Sequence, residues 1–158
     1  MQEKRMREIL FRAKGIEETD KDKWYLGSYL RWDKTTYCFS EDYDNDPQNT
    51  EHYIIFDVMT DWGLPNRHMR ADINPDTLCQ FTGLYDKNGV RIFEGDIVKH
   101  VSGSGVVRWA EGWWGFQIVT EYPAGATHGT ISTNGLGQCF GVEVIGNVFD
   151  NPELLNRE

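Results

Sequence analysis

Apolar and polar residues alternate along most of this chain, and the alternation predicts short β-strands. It is clearest in Trp24 to Trp32. Trp24, Leu26, Leu30 and Trp32 fall in phase on one face, with Tyr25, Tyr29 and Arg31 on the other. Arg7 to Ala13, Tyr37 to Ser40 and His52 to Phe56 are further predicted strands in the first half. In the second half the pattern predicts strands at Gln80 to Tyr85, Val90 to Phe93, Glu94 to Val101, Val106 to Trp109, Trp114 to Val119 and Val142 to Phe149.

The breaks between these segments carry turn chemistry. Asn88-Gly89, within Asp86-Lys87-Asn88-Gly89, supplies the positive φ that a tight hairpin needs. Asn74-Pro75-Asp76 and Asn151-Pro152-Glu153 each combine an Asn cap, a proline in the first turn and an acid near the positive helix end. No 3.6-residue pattern follows either, so each predicts a turn or two of helix. Glu41 to Glu51 is polar and reads as an acidic loop. Tyr122 to Gly141, rich in Gly, Thr and Ser, reads as a long loop with room for a ragged strand.

The expected fold is therefore mainly β, with short antiparallel strands and one or two very short helices. An extension at 1–5 precedes an N-terminal β part at 6–79 and a C-terminal part at 80–158, the two forming one compact unit. The Gly95-Asp96-x-Val98 step, a turn, and Val107-x-Trp109 suggest a small SH3-like barrel for the C-terminal part, by analogy of fold alone.

Composition narrows the function classes. The 158 residues contain 16 Lys+Arg and 25 Asp+Glu, a net charge of −9. Divided after Asp72, the halves carry −4 and −5, so neither has the basic surface that neutralises phosphates. No apolar run approaches the roughly 20 residues of a membrane span, and no apolar stretch near Met1 resembles a signal peptide. Cys38, Cys79 and Cys139 are odd in number and far apart, which suits thiols in a reducing compartment. A cytoplasmic location follows as the expectation, with no membrane partner and no cofactor.

Several segments together resemble the YopX family of phage and prophage proteins. They are Met6-Arg7-Glu8-Ile9-x-Phe11-Arg12-Ala13, Trp24-x-x-Gly27, Gln80-Phe81-Thr82-Gly83-Leu84-x-Asp86-Lys87-Asn88-Gly89 and Ile92-Phe93-Glu94-Gly95-Asp96-Ile97-Val98. Val144-Ile145-Gly146-Asn147-Val148 and Asn151-Pro152-Glu153-Leu154-Leu155 complete the pattern. The resemblance implies a mainly β, phage-associated protein. It implies no activity and no catalytic residues.

Candidate chemistry is sparse. Asp42, Asp44 and Asp46 imitate the first positions of a calcium loop, but Pro47 stands where the loop needs glycine and Tyr53 where it needs the bidentate Glu. A solvated acidic surface is favoured over a metal site. His52, His68, His100 and His128 show no ligand spacing, and nothing in the sequence brings Cys139 to His128 or Cys79 to His68 as a nucleophilic pair. Gly103-x-Gly105 and Gly135-x-Gly137 lack the strand–helix context of a phosphate loop. Glu94 and Asp96 could split acid and base roles at strand spacing, but Asp96 bonding backbone at the strand entry is favoured. Among the aromatics, Trp109, Trp114 and Phe116 are expected in the core, and Trp113 is expected to be partly exposed and available for binding.

The favoured reading is a non-enzymatic accessory protein that binds another macromolecule, a protein rather than duplex nucleic acid. Its candidate binding residues are Trp113, Asp42, Asp44 and Asp46, and self-association is left open. Two alternatives stand beside it: an enzyme using the acidic loop or the Glu94–Asp96 pair, and an acidic mimic of nucleic acid that blocks a host protein.

Overall fold

The computed structural model describes residues 8–47, 49–59, 62–100, 103–111, 115–119, 130–131 and 141–155. The described residues are mainly β, 56% strand and 12% helical, far below the ordinary one-third helix of globular domains. The chain divides into two compact units, residues 10–78 and residues 1–9 with 79–158. Trp113, Trp114, Met1 to Arg5, and all but Thr130, Ile131 and Gly141 of the 122–141 stretch lie outside the described residues.

In the 10–78 unit, β1 (Phe11–Lys14), β2 (Trp24–Asp33), β3 (Thr50–Met59) and β4 (Pro65–Asp72) form antiparallel neighbours in the order β4-β3-β2-β1. The register pairs Ala13 with Tyr25, Tyr29 with Ile54, and Ile54 with Ala71. The alternation of β2 is observed, but its core-facing side is the tyrosine side. Tyr25 and Tyr29, with Phe11, Phe56 and Leu78, pack against buried Ala13, Ile54, Ala71 and Ile73. Leu26 and Trp32, in the opposite phase, are exposed. Curvature is strong. Asn74 N–H donates to the Lys14 carbonyl at 2.9 Å and Ile16 N–H to the Asp72 carbonyl at 3.2 Å, with a Gly15–Ile73 bridge between them. These bonds bring the exit of β1 against the exit of β4.

Two expectations for this unit are corrected. Tyr37 to Ser40 is not a strand, and part of the acidic segment is helical rather than loop. A short helix, α1 (Ser40–Asn45), forms there with Glu41 and Asp42 in its first turn, where acids favour the positive end of the helix dipole. The hydrophobic pattern misses it because α1 buries no residue. β4 has the opposite problem. It bears Pro65, Arg67, His68 and Arg70, and edge strands tolerate charge and proline that disguise them as loop.

In the other unit, β5 (Cys79–Tyr85) and β6 (Arg91–Phe93) form a hairpin. Asp86 N–H bonds the Val90 carbonyl and Gly89 N–H the Asp86 carbonyl, so Lys87-Asn88-Gly89 is a three-residue loop with Gly89 at φ +78°. A five-stranded antiparallel sheet follows, in the order β10-β9-β8-β7-β11. It contains β7 (Asp96–His100), β8 (Gly103–Ala110), β9 (Gly115–Val119), β10 (Thr130–Ile131) and β11 (Glu143–Asn147). Its core is Ile92, Val98, Val107, Phe116, Ile118 and Val142. The expected SH3-like barrel is not confirmed. Among the described residues no closed barrel forms: β10 and β11 end the five-stranded sheet, and β5 and β6 are not among its strands.

Both proline-marked helix starts form single 3-10 turns, Pro75–Thr77 and Pro152–Leu155. The Asn74 side chain accepts from Asp76 N–H at 3.0 Å, which is the expected cap. Among the described residues no helix is long and apolar enough to cross a membrane.

Candidate functional site

The 10–78 unit contains a cleft of about 360 Å³ where the exits of β1, β2 and β4 meet the entry of β3. Its walls are apolar at Ile16, Pro47, Ile73 and Pro75, and polar at Lys34, Thr50, Glu51, His52 and Asp72. Backbone pairing fixes the rim: Ile73 N–H donates to the His52 carbonyl at 3.0 Å, and Lys34 N–H to the Asn49 carbonyl at 2.9 Å.

Alternation along β3 sends Glu51 and His52 to opposite faces of the strand. Glu51 accepts a hydrogen bond from the Tyr53 phenol two residues on. That bond, then burial, then the carboxylate's charge raise the Tyr53 pKa above its ordinary value, while Arg70, 4.6 Å from the ring centroid, partly offsets the rise. His52 Nδ1 lies 2.7 Å from the Tyr29 hydroxyl, and the two rings stack at 5.9 Å. Lys34 Nζ is 3.7 Å from Asp46 Oδ2. Among the described residues Glu51 and Asp72 take part in no ion pair, and the exposed Asp72 carboxylate accepts no hydrogen bond.

Beside the cleft, the acidic segment is tied down at its ends. Tyr37 donates its phenol proton to Asp46, and its ring meets Tyr43 edge-on at 5.5 Å. The bond to Asp46, with burial and the nearby negative charge, pushes the Tyr37 pKa up to about 12. Asp46 is thus a structural anchor as well as a charge. Asp42 and Asp44 are exposed on α1, and residues two apart on a helix project to roughly opposite sides, so they do not converge as calcium ligands. Among the described residues no group of three His, Cys, Asp or Glu side chains could hold a metal ion.

The other candidate residues are separated in role. Asp96 is 1% exposed and accepts the Phe93 N–H at 2.8 Å, a structural bond at the entry of β7. Glu94 sits in the turn before that strand and accepts the Trp109 N–H at 3.3 Å, so strand spacing does not align the two acids. Trp109, expected in the core, is 45% exposed and covers Phe116 edge-on at 5.1 Å. Its register partner Phe116 is buried as expected, because it shares the inner face of β9 with Ile118 and clusters with Val107 of β8. Trp113 lies outside the described residues. Cys79 is buried, and His68 is exposed with its Nδ1 2.5 Å from Asp57.

Sequence reasoning did not find the grouping of Glu51, His52 and Asp72. Its only local signal was the His52 to Phe56 strand. The grouping depends on β4, whose composition conceals it. No curated protein matches the chain. A family model described as YopX protein matches residues 10–156, nearly its whole length, and the chain belongs to the YopX family.

Proposed function

We propose that this YopX-family protein is a non-enzymatic phage accessory protein that acts in the bacterial cytoplasm by binding a partner protein with a Lys- and Arg-rich surface. The observation that carries this reading is the one-sided charge around α1. Between Lys34 and Arg67 the sequence has seven acids and no Lys or Arg. Of these, Glu41, Asp42 and Asp44 are exposed on α1, which has no basic residue in its last turn. Such a field repels phosphate and draws basic surfaces, speeding encounter more than it slows release. Exposed apolar groups nearby in sequence supply packing area, Phe39 at 71% and Trp62 at 89% exposure, and a tryptophan of that kind is a common interface anchor.

Capture from a bacterial lysate tests the reading, with the native chain compared to the triple variant Glu41→Gln, Asp42→Asn, Asp44→Asn. A partner retained by the native chain and lost by the variant supports it. Retention of duplex DNA, or of partners indifferent to the substitutions, contradicts it.

A further inference from the structure

We propose that the cleft between Lys34, Glu51 and Asp72 is the recognition pocket for a single Arg or Lys side chain of the partner protein. The inference rests on the protein-binding reading above and adds a specific site to it. Its volume of about 360 Å³ is at the small end of the roughly 300–1,000 Å³ of ligand pockets, which suits one long side chain. Ile16, Pro47, Ile73 and Pro75 offer apolar walls for a methylene stem, and long cationic side chains bury such stems while keeping the charged head near polar groups.

The charge also fits. Glu51 has a hydrogen bond from the Tyr53 phenol but no cation, and Asp72 has neither among the described residues. The cleft's own cation does not serve them, because Lys34 is drawn to Asp46. A guanidinium or ammonium entering from a partner would complete both carboxylates. An anionic group would meet two carboxylates in a cleft whose one Lys, Lys34, lies 3.7 Å from Asp46. The partner class is therefore fixed by complementarity as a cationic side chain.

The test is a nuclear magnetic resonance titration of the full chain with the peptide acetyl-Gly-Arg-Gly-amide, against the same peptide with citrulline, which keeps the shape and removes the charge. Saturable shifts are expected at the amides of Thr50, His52 and Ile73, with the citrulline peptide weaker by a factor of up to about five, the upper end for one partly exposed ion pair. Asp72→Asn should weaken the arginine peptide by a similar factor. Because Asp72 has no described side-chain partner, this variant should keep its fold, and an unchanged amide spectrum away from the cleft checks that. Glu51→Gln, which still accepts the Tyr53 phenol, is the second variant and should also weaken binding.

Absence of saturable shifts, equal binding of the citrulline peptide, or indifference to both Asp72→Asn and Glu51→Gln overturns the pocket. Lysate capture reads the α1 charges separately, so loss of peptide binding with retained capture discards the cleft alone. Failure of the native chain to capture any partner, with peptide binding retained, discards the larger reading.

Discussion

The Asp86 carboxylate accepts a hydrogen bond from the Val144 N–H at 3.1 Å, joining the β5–β6 turn to β11 across 58 positions of sequence. The same side chain accepts from Asn88 N–H at 2.7 Å and Val90 N–H at 2.8 Å, closing its own loop. One residue 8% exposed thus organises both a hairpin and a distant sheet edge. Burial pushes its pKa up, but the backbone donors outweigh burial and the net shift is downward.

Asp86→Ala should therefore destabilise the protein by about 3 kcal/mol, the order expected when a buried carboxylate's backbone bonds are lost. Asp86→Asn should cost less. The pH dependence has a definite sign. A folded pKa below the unfolded value of about 4 means the contribution is complete above that value and is lost as pH falls through the folded one. Denaturant melts of native and Asp86→Asn protein, taken from neutral to acidic pH, should converge at low pH. A gap that widens on acidification would contradict this role.

Gly27, part of the Trp24-x-x-Gly27 motif, shows why one position of an alternating strand carries no side chain. A Cβ there would lie 2.0 Å from the Ile55 carbonyl oxygen, a backbone atom that cannot rotate away. Gly27→Ala should cost more than about 3 kcal/mol or prevent folding, since overpacking against fixed backbone is among the large mutational effects. Near-native stability on urea denaturation would show that β2 and β3 are further apart than the structure places them.

Trp109 and Phe116 separate exposure from burial within one cross-strand pair. Phe116→Ala should cost about 3–5 kcal/mol through a core cavity. Trp109→Ala removes a half-exposed ring and one edge-on contact, and should cost about 1–2 kcal/mol. Paired denaturation curves check the order, and a larger loss at Trp109 would reverse the assignment.

Tyr37 should ionise at about 12 in the native protein, well above a free phenol near 10. Asp46→Asn removes the negative charge and the strong acceptor, so the phenol should titrate closer to its ordinary value. Ultraviolet difference titration of the two proteins, with Tyr37→Phe to assign the signal, measures the change. Identical Tyr37 titration in native and Asp46→Asn protein would show that the pair is not formed in solution.

These residues also show where sequence reading ends. Local chemistry was legible: the Asn74 cap, the Asp86 to Gly89 turn and the alternation of β2 depend on neighbours within a few positions. Choice of face was not. Both faces of β2 are rich in apolar atoms, and only the curl that brings Gly15 to Ile73 selects Tyr25 and Tyr29 as the core-facing set. Trp109 misled for a related reason, since alternation gives the phase of a strand but not how far its ends extend beyond the core. The cleft was the least legible feature, because it assembles Lys34, Glu51 and Asp72 from three strand ends, one belonging to a strand with no apolar pattern.

The central claim is that an acidic surface of the 10–78 unit steers a basic protein partner. The most direct measurement is the association rate of the lysate-captured partner as ionic strength rises through about 0.15 M, where charges are screened beyond about 8 Å. The association rate should fall steeply with salt for the native chain. For the Glu41→Gln, Asp42→Asn, Asp44→Asn variant it should start lower and fall less, with the dissociation rate changed little in either. An association rate indifferent to both salt and these substitutions would contradict the account.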